Sequence, residues 1–160
     1  MENIKKLISA EQVISLAFGD GEYISAAVVG DADIASAEAR YILPIVGESL
    51  YEELHDGEHE SLLAEYVAPA LAMAVRCMLQ PALNVRTGMG GLSVSTSMRS
   101  DSSTKSAIEQ LQRSLVKRRQ MLLRRLSDYL KQHAEEFPSY DESADAMQRC
   151  RIDGGYVQTC

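Results

Sequence analysis

The sequence predicts an all-α fold, namely a helical bundle with one long C-terminal helix and a small β-hairpin or loop insertion. Three observations lead to this prediction. Apolar residues recur at helical spacing, segment 60–83 is apolar on nearly every side of a helix, and residues 104–136 carry an apolar stripe that ends before Pro138. Residues 92–98 instead alternate between apolar and small polar side chains, which is the period of a strand.

Length and composition indicate one globular domain. A chain of 160 residues can bury a core without disulfides or metals, and 46% hydrophobic with 24% charged residues excludes wholesale disorder. The net charge of −7 argues against a nucleic-acid coat protein, and 7 Tyr, 2 Phe and 0 Trp leave few side chains for base stacking. We divide the chain into a helical domain, residues 1–140 with a protruding loop at 86–103, and a polar tail at 141–160.

The first predicted element is a short helix. Ser9 and Gln12 have the spacing of a capping box, in which each side chain binds a free backbone N–H at the start of a helix. This helix continues to about Phe18 and ends at the glycines that follow. Residues 22–29 are ambiguous between a short helix and an extended segment.

Two longer helical segments follow. The first begins near Gly30, is bent or broken at Pro44, and continues to a turn at residues 55–57. The second spans residues 60–83, with Pro69 as a kink or a fresh helix start. Its apolar residues lie on nearly every side, which is typical of the central helix of a bundle.

The apolar stretch at 66–83 is interpreted as a core helix rather than a membrane span. Arg76 stands at its middle, and a central arginine costs about 2.5–3.5 kcal/mol on membrane-insertion scales. Cys77 is predicted to be a buried thiol. The three cysteines show no metal-binding spacing, which argues against a zinc site or a disulfide framework.

The protruding loop is predicted to be an arm that orders on assembly. Residues 87–91 are rich in glycine, but no lysine follows them, so they do not match a phosphate-binding P-loop. The arm carries few large apolar side chains. Those that we expect to contact a neighbouring subunit are Met89, Leu92, Val94 and Met98.

The longest predicted helix runs from Thr104 to about Glu136, and Ser102 or Ser103 caps it. Pro138 stops it. Its predicted inner stripe consists of Ile108, Leu111, Leu115, Leu122, Leu126, Tyr129, Leu130 and Phe137.

Charge is distributed unevenly along the chain. Residues 1–66 hold 14 acidic and 3 basic residues, whereas residues 104–137 hold 8 basic and 4 acidic residues. Helical spacing places four of these bases on one outward stripe, which we expect to be a subunit interface: Arg113, Lys117, Arg124 and Lys131. A solvated face and a contact with nucleic-acid phosphates are the alternatives for this stripe.

Arg119 is expected to differ from the other bases of the long helix. Helical geometry puts it about 20° from the centre of the apolar stripe, because it follows Ile108 by eleven residues. An arginine there must reach the edge of the bundle or find an acidic partner. Glu38 and Glu48 are the candidate partners.

No spacing in the sequence marks a catalytic, cofactor or metal site. His55 and His59 have the separation of two metal ligands on a helix, with acidic residues close by, but the Asp56–Gly57 turn between them breaks the shared face. The serines of residues 93–103 lack the glycine pattern of a nucleophile elbow. We therefore predict a non-enzymatic protein.

Two segments resemble a known family. One is Ala37–Gly47, continuing through Leu50–Leu54, and the other is Leu62–Pro81, followed by the Gly/Ser loop and the long helix ending Leu126–Leu130 and Phe137–Tyr140. They are similar to the small helical head–tail connector, or adaptor, proteins of tailed phages and prophages. The resemblance covers about residues 5–140 and does not include the tail.

This resemblance implies a function and partners. Connectors of this kind are all-α with a β-hairpin insertion, and they form homo-oligomeric rings between the portal protein and a tail-side neck protein. DNA passes through the ring without specific binding. The resemblance implies no catalytic residue, cofactor or membrane contact. It places the protein in the virion neck, and in the bacterial cytoplasm during assembly. The alternatives are another phage neck or head-completion protein and a small helical regulatory or nucleic-acid-binding protein.

Overall fold

The protein is all-α with a short β-hairpin insertion, as predicted. The computed structural model describes residues 5–19, 22, 24–88, 91–94, 101–149, 152–153 and 156–157. Side chains are described for residues 5–19, 22, 24–84 and 106–149.

The helices occupy four segments of the chain. A short 3₁₀ turn, Ala26–Val28, lies in the region that the sequence left ambiguous. The helical bounds are α1 (Ala10–Ala17), then α2 (Asp31–Ala37), a π-helical turn (Glu38–Ile42) and α3 (Leu43–His55), then α4 (Glu60–Leu62), a second π-helical turn (Leu63–Val67) and α5 (Ala68–Leu83), and finally α6 (Asp101–Gln132).

Helix α5 forms the centre of the bundle. Every residue from Ala70 to Cys77 is buried, and the helix packs against α1, α2 and α6. By length and composition Glu60–Leu83 could cross a membrane, but 61% of its most apolar stretch is buried inside the domain. The apolar character of this segment is therefore accounted for by the core. The Cys77 thiol is buried as predicted, and burial raises its pKa.

The buried positive charge of Arg76 on α5 is paired with an acidic residue from outside the helix. Its guanidinium binds both carboxylate oxygens of Glu22, at 2.7 and 2.9 Å, and donates to the carbonyl of Ala17. It also lies 4.4 Å from the centre of the Phe18 ring. Partial burial alone would raise the pKa of Glu22, but the Gly19 N–H and Arg76 outweigh it and hold this pKa below its usual value. The central arginine thus ties α5 to the end of α1.

The two prolines that begin α3 and α5 each follow a π-helical turn. A proline cannot donate a backbone hydrogen bond, and its ring clashes with the carbonyl four residues earlier. In the π turns the hydrogen bonds reach one residue further, from Leu43 to Glu38 and from Ala68 to Leu63. The chain therefore enters Pro44 and Pro69 without leaving the helical path.

The interruption predicted at Pro44 lies instead at Gly47. Gly47 has φ 79° and ψ 165°, a conformation outside the helical region that L-residues with a side chain rarely adopt. A Cβ atom at this position would meet no atom within 4 Å. Only backbone strain, and no steric clash, therefore opposes a larger residue here.

Helix α6 differs from its predicted form at both ends and along its inner stripe. It begins at Asp101, before the predicted caps Ser102 and Ser103, and residues 133–136 form turns rather than its last helical turn. Leu115, Leu123, Leu126 and Leu130 are buried, whereas the predicted stripe residue Leu111 is 38% exposed and Leu122 is only partly buried.

The length of α6 is the physical reason for the exposure of Leu111. Its 32 residues span about 48 Å at 1.5 Å per residue. Leu115 is the first residue that is buried in the described part of this helix. The turns before it extend beyond the core, so helical spacing alone overestimated the length of the buried stripe.

The predicted insertion is a β-hairpin. Strands β1 (Val85–Gly88) and β2 (Gly91–Val94) pair antiparallel, with Val85 opposite Val94 and Gly88 opposite Gly91. The strand expected at 92–98 therefore starts earlier, and residues 85–88 form its partner. Part of this prediction lies outside the described residues, namely Met89, Met98, the side chains of Leu92 and Val94, and the arm at 95–100.

The first part of the predicted polar tail packs on the bundle. The backbone N–H of Ala146 donates to the carbonyl of Pro44 at 2.9 Å, and Lys131 on α6 pairs with Glu142 at 2.6 Å. Further along, strands β3 (Ile152–Asp153) and β4 (Tyr156–Val157) pair antiparallel.

Replacement of Gly47 by alanine is expected to lower the free energy of unfolding by about 1–3 kcal/mol, the cost of holding a side-chain-bearing residue at this φ and ψ. Urea denaturation measures the change. Gly19→Ala is the matched control, since its Cβ would make only an ordinary contact at 3.8 Å. Equal losses in both variants would contradict this account of Gly47.

Candidate functional site

The basic stripe of α6 is exposed, but its four members differ in their partners. Arg113 pairs with Glu109 at 3.3 Å within the helix, and Lys131 pairs with Glu142 of the docked tail. The hydrogen bond and charge of Glu142 raise the pKa of Lys131. Lys117 and Arg124 are exposed and form no ion pair with any described residue.

Lys117 and Arg124 flank Met121 on the same face of α6. Met121 is 64% exposed, the largest exposed fraction among the large apolar side chains of the described residues. We call Lys117, Met121 and Arg124 the basic ridge. The two charges of the ridge were predicted from helical spacing, whereas the exposed apolar side chain between them was not.

An aromatic column stands beside the basic ridge. Tyr66 stacks on Tyr129 at 4.0 Å between ring centres, and His133 stacks on the other side of Tyr129 at 4.2 Å. The Arg125 guanidinium lies 4.7 Å from the centre of the Tyr66 ring. Tyr66, Arg125 and Tyr129 contribute to a surface cleft of about 410 Å³.

The ring of Tyr66 has no free face on which a nucleic-acid base could stack. Arg125 covers one face of this ring and Tyr129 the other. A base would have to displace one of them, so the cleft beside the ridge suits a polar or charged group better than an aromatic one.

A second cleft, of about 480 Å³, lies on α3 and is acidic. Glu48, Glu52 and Asp56 on its rim are exposed, and Asp56 forms only a long surface pair with Lys5, at 3.5 Å. We call this region the acidic cleft. Its lining residues are Lys5, Leu43, Glu48, Tyr51, Glu52, His55 and Asp56.

The floor of the acidic cleft is held by a buried carboxylate. Glu38, in the first π turn, is 0% exposed. It accepts hydrogen bonds from the backbone N–H of Leu7 at 2.8 Å and from the Tyr51 hydroxyl at 2.7 Å. His55 Nε2 lies 3.5 Å from the same carboxylate. Partners from the amino-terminal segment and from α3 thus satisfy one buried group.

The contact with Glu38 changes the pKa of Tyr51. Burial raises the pKa of this tyrosine, and the hydrogen bond to Glu38 and the charge of Glu38 raise it further. Tyr51 therefore stays protonated and donates to Glu38. The T-shaped contact between Tyr51 and His55, with 4.6 Å between ring centres, adds to the rigidity of the floor.

His55 and His59 do not converge on one site. His55 faces Glu38, whereas His59 Nε2 lies 3.1 Å from Glu53. Ligand atoms of Glu53, Glu58 and His59 lie within 4.8 Å of one another, so these three residues could hold a cation. The hydroxyl of Ser139 donates to Glu53 and, with His59, holds the pKa of Glu53 below its usual value despite burial.

Arg119 lies at the edge of the core and is partly buried. Its guanidinium donates to the Tyr41 hydroxyl at 3.1 Å and sits 4.6 Å from the centre of the same ring. The expected acidic partners are therefore wrong for the described residues: Glu38 binds Leu7 and Tyr51, and Glu48 is exposed on α3. Tyr41 supplies both a ring face and an acceptor.

A second buried carboxylate anchors the tail. Asp145 is 0% exposed and accepts hydrogen bonds from Ser127 at 2.6 Å, Tyr140 at 2.7 Å and the backbone of Met147 at 2.7 Å. Burial and the contact with Asp145 raise the pKa of Tyr140. The Ser127 hydroxyl donates to Asp145, so this cluster holds the tail against α6.

The sequence did not reveal either buried carboxylate as a link between segments. Glu38 was only a candidate partner of Arg119, and Asp145 lies in a polar stretch whose acids resemble surface residues. The only available signal was that Glu38 falls on the apolar side of its helix, close to Tyr41 and Ile42 in the sequence. The row of Glu48, Glu52 and Asp56 is visible in the spacing along the chain, but the floor of the acidic cleft is not, because residues distant in sequence form it.

Comparison with known proteins identifies one family. Residues 38–149 match the model of DUF6712, a family of unknown function. The match covers more than two thirds of the chain, which therefore belongs to this family. It begins at Glu38 and ends just beyond Asp145. No curated protein and no solved structure matches the chain.

Glu38→Gln is expected to lower the free energy of unfolding by about 1–3 kcal/mol, because an amide cannot accept from both Leu7 and Tyr51 as the carboxylate does. Urea denaturation gives the value. Glu48→Gln, an exposed acid nearby, is the control and should change stability by less than about 0.5 kcal/mol. Equal losses of stability in Glu38→Gln and Glu48→Gln would contradict the role assigned to Glu38.

Arg119→Met is expected to cost about 1 kcal/mol, since methionine keeps the apolar contacts of the side chain and loses the cation–π contact with Tyr41. Thermal and urea unfolding report the loss. The exposed Arg118→Met is the control. A loss of several kcal/mol would instead indicate a buried ion pair, against the contacts described here.

Proposed function

We propose that this chain is a non-enzymatic structural protein of a phage virion, a head–tail connector subunit that forms a ring between the portal protein and the tail. DNA passes through the ring without specific binding. The protein resides in the virion neck, and in the host cytoplasm before assembly. The sequence resemblance to connector proteins is the origin of this proposal.

One observation carries the proposal furthest. The chain combines a rigid helical core with an α6 that extends beyond it, a β-hairpin insertion after α5, and exposed surfaces of opposite charge. A subunit that repeats head-to-tail needs two different complementary surfaces. The element order, with short helices, a central helix, a hairpin and a long helix, also agrees with the architecture of connectors.

The buried polar groups support a structural role rather than catalysis. Glu38, Arg76 and Asp145 each bind partners that join separate segments of the chain. Groups used in this way are occupied in the folded state. The exposed clusters, by contrast, are suited to contacts with another macromolecule.

The basic stripe supports a protein contact better than a role in the channel. A lumen lined with free cations would retain DNA phosphates and slow the genome. Two of the four stripe residues, Arg113 and Lys131, are already paired within the chain. Of the four stripe residues, only Lys117 and Arg124 therefore have no ion-pair partner among the described residues.

Deletion of the gene from a phage or prophage that encodes this chain tests the proposal. We expect DNA-filled heads and separate tails to accumulate, because the ring that joins them is missing. Electron microscopy of the lysate and plaque counts measure the effect. A plasmid-borne copy of the wild-type gene should restore joined particles.

Other outcomes would point elsewhere. Heads that lose their DNA would favour a head-completion protein. Normal infectious particles, with the chain absent from purified virions, would overturn the proposal and favour a regulatory protein.

A further inference from the structure

We propose that the basic ridge of one copy of this chain docks on the acidic cleft of another copy. This inference rests on the proposed function, since it names the two surfaces by which subunits of a ring would meet. Its evidence is the charge, exposure and spacing of residues on α3 and α6.

The acidic cleft has the form of a docking site. Three exposed carboxylates, Glu48, Glu52 and Asp56, line one side of α3 at helical spacing. Between them lies a floor that includes Tyr51 and His55, both fixed by the buried Glu38. A rigid floor lowers the entropy cost of binding because its side chains are ordered before contact.

The basic ridge has the matching features. Lys117 and Arg124 are exposed and unpaired within the described residues, and the exposed Met121 lies between them. An apolar side chain surrounded by charges is the arrangement of an interface patch, in which the apolar group enters the partner and the charges set the orientation.

The spacing of the two charge rows agrees. Lys117 and Arg124 are seven residues apart, which is about 10.5 Å along a helix. Glu48 and Glu52 are separated by about 6 Å, and Asp56 lies about 6 Å further on. Two crossing or parallel helices can therefore bring both cations within reach of carboxylates while Met121 faces the floor.

A second copy is the occupant that the charges favour. The acidic cleft needs a cationic partner, and the same chain carries one on α6. The two surfaces lie on different elements, so the contact joins unlike faces and can repeat from copy to copy. A nucleic acid would be repelled by the acidic cleft and would engage the ridge alone.

Two complementary variants test the contact. Variant A carries Glu48→Lys with Glu52→Lys, so both of its surfaces are basic. Variant B carries Lys117→Glu with Arg124→Glu, so both are acidic. All four side chains are exposed, and circular dichroism and urea denaturation verify that each variant folds.

Sedimentation of the full chain at low salt provides the main result. We expect wild-type self-association that weakens at high salt, and a loss of about tenfold or more in the affinity of each variant for itself. An equal mixture of A and B should associate again, since every basic surface of A then meets an acidic surface of B. Both variants keep a negative net charge, because the chain starts from −7 and each changes by four. Attraction between opposite net charges therefore cannot cause A and B to associate on mixing.

A matched control separates this contact from a general effect of charge. Arg40→Glu with Arg118→Glu makes the same change in net charge at exposed positions outside the basic ridge. This variant should associate like the wild type. Equal loss in the control, failure of A and B to recover on mixing, or a wild-type chain that stays monomeric at millimolar concentration would each overturn the inference.

The outcomes also separate the inference from the proposed function. If gene deletion leaves heads and tails unjoined but the A and B mixture does not associate, the connector role stands and the docking surfaces are wrong. If A and B recover on mixing but deletion has no effect on particles, the contact stands and the connector role fails. Binding of a DNA duplex by the wild type and by A, with no self-association, would make the ridge a phosphate-binding surface instead.

Discussion

The fold depends most on one constraint, the burial of the Glu38 carboxylate. A buried carboxylate without partners is costly, so the segments that supply donors must come together around it. Leu7 donates from the amino-terminal segment and Tyr51 from α3, while Glu38 itself lies in the π turn between α2 and α3. This single group therefore joins the amino terminus to the middle of the chain and fixes the floor of the acidic cleft.

Arg76 and Asp145 repeat this arrangement at two other places. Arg76 holds the end of α1 against the central helix through Glu22, and Asp145 holds the tail against α6 through Ser127. Glu38, Arg76 and Asp145 do not bind one another, since each has its own partners. Loss of a partner leaves part of the hydrogen-bonding capacity of a buried group unsatisfied, so these contacts favour one arrangement of the segments over alternatives.

The same constraints connect the core to the surface. The π turns let the chain pass Pro44 and Pro69 in helical form, which keeps α3 and α5 in place. Because α3 is held in place, its exposed acids project from an ordered helix. The core covers only one side of α6 between Leu115 and Leu130, so the opposite side exposes the basic ridge next to an aromatic column. The proposed docking of one copy on another rests on these opposite charges, which lie on separate elements.

The sequence by itself determined the fold class, the central helix and the capping of α1. These follow from local rules, since helical spacing of apolar residues and the Ser9–Gln12 pair act within a few positions. It also determined the unequal charge of the two ends and the unusual position of Arg119. The family membership adds no function to these conclusions.

Only the tertiary structure decided the partners of the buried charges. Leu7 is 31 residues from Glu38, and Tyr41 is 78 residues from Arg119. Sequence spacing carries no information about such pairs, so the two alternatives for Arg119, the edge of the bundle or an acidic partner, stayed open until the structure placed it at the core edge against Tyr41. The inner stripe of α6 was overestimated for a related reason, because helical periodicity gives the direction of a side chain but not where the core ends. Helical spacing could show the acids of α3, but only the tertiary structure shows the floor of the acidic cleft, because that floor forms where distant segments meet at Glu38.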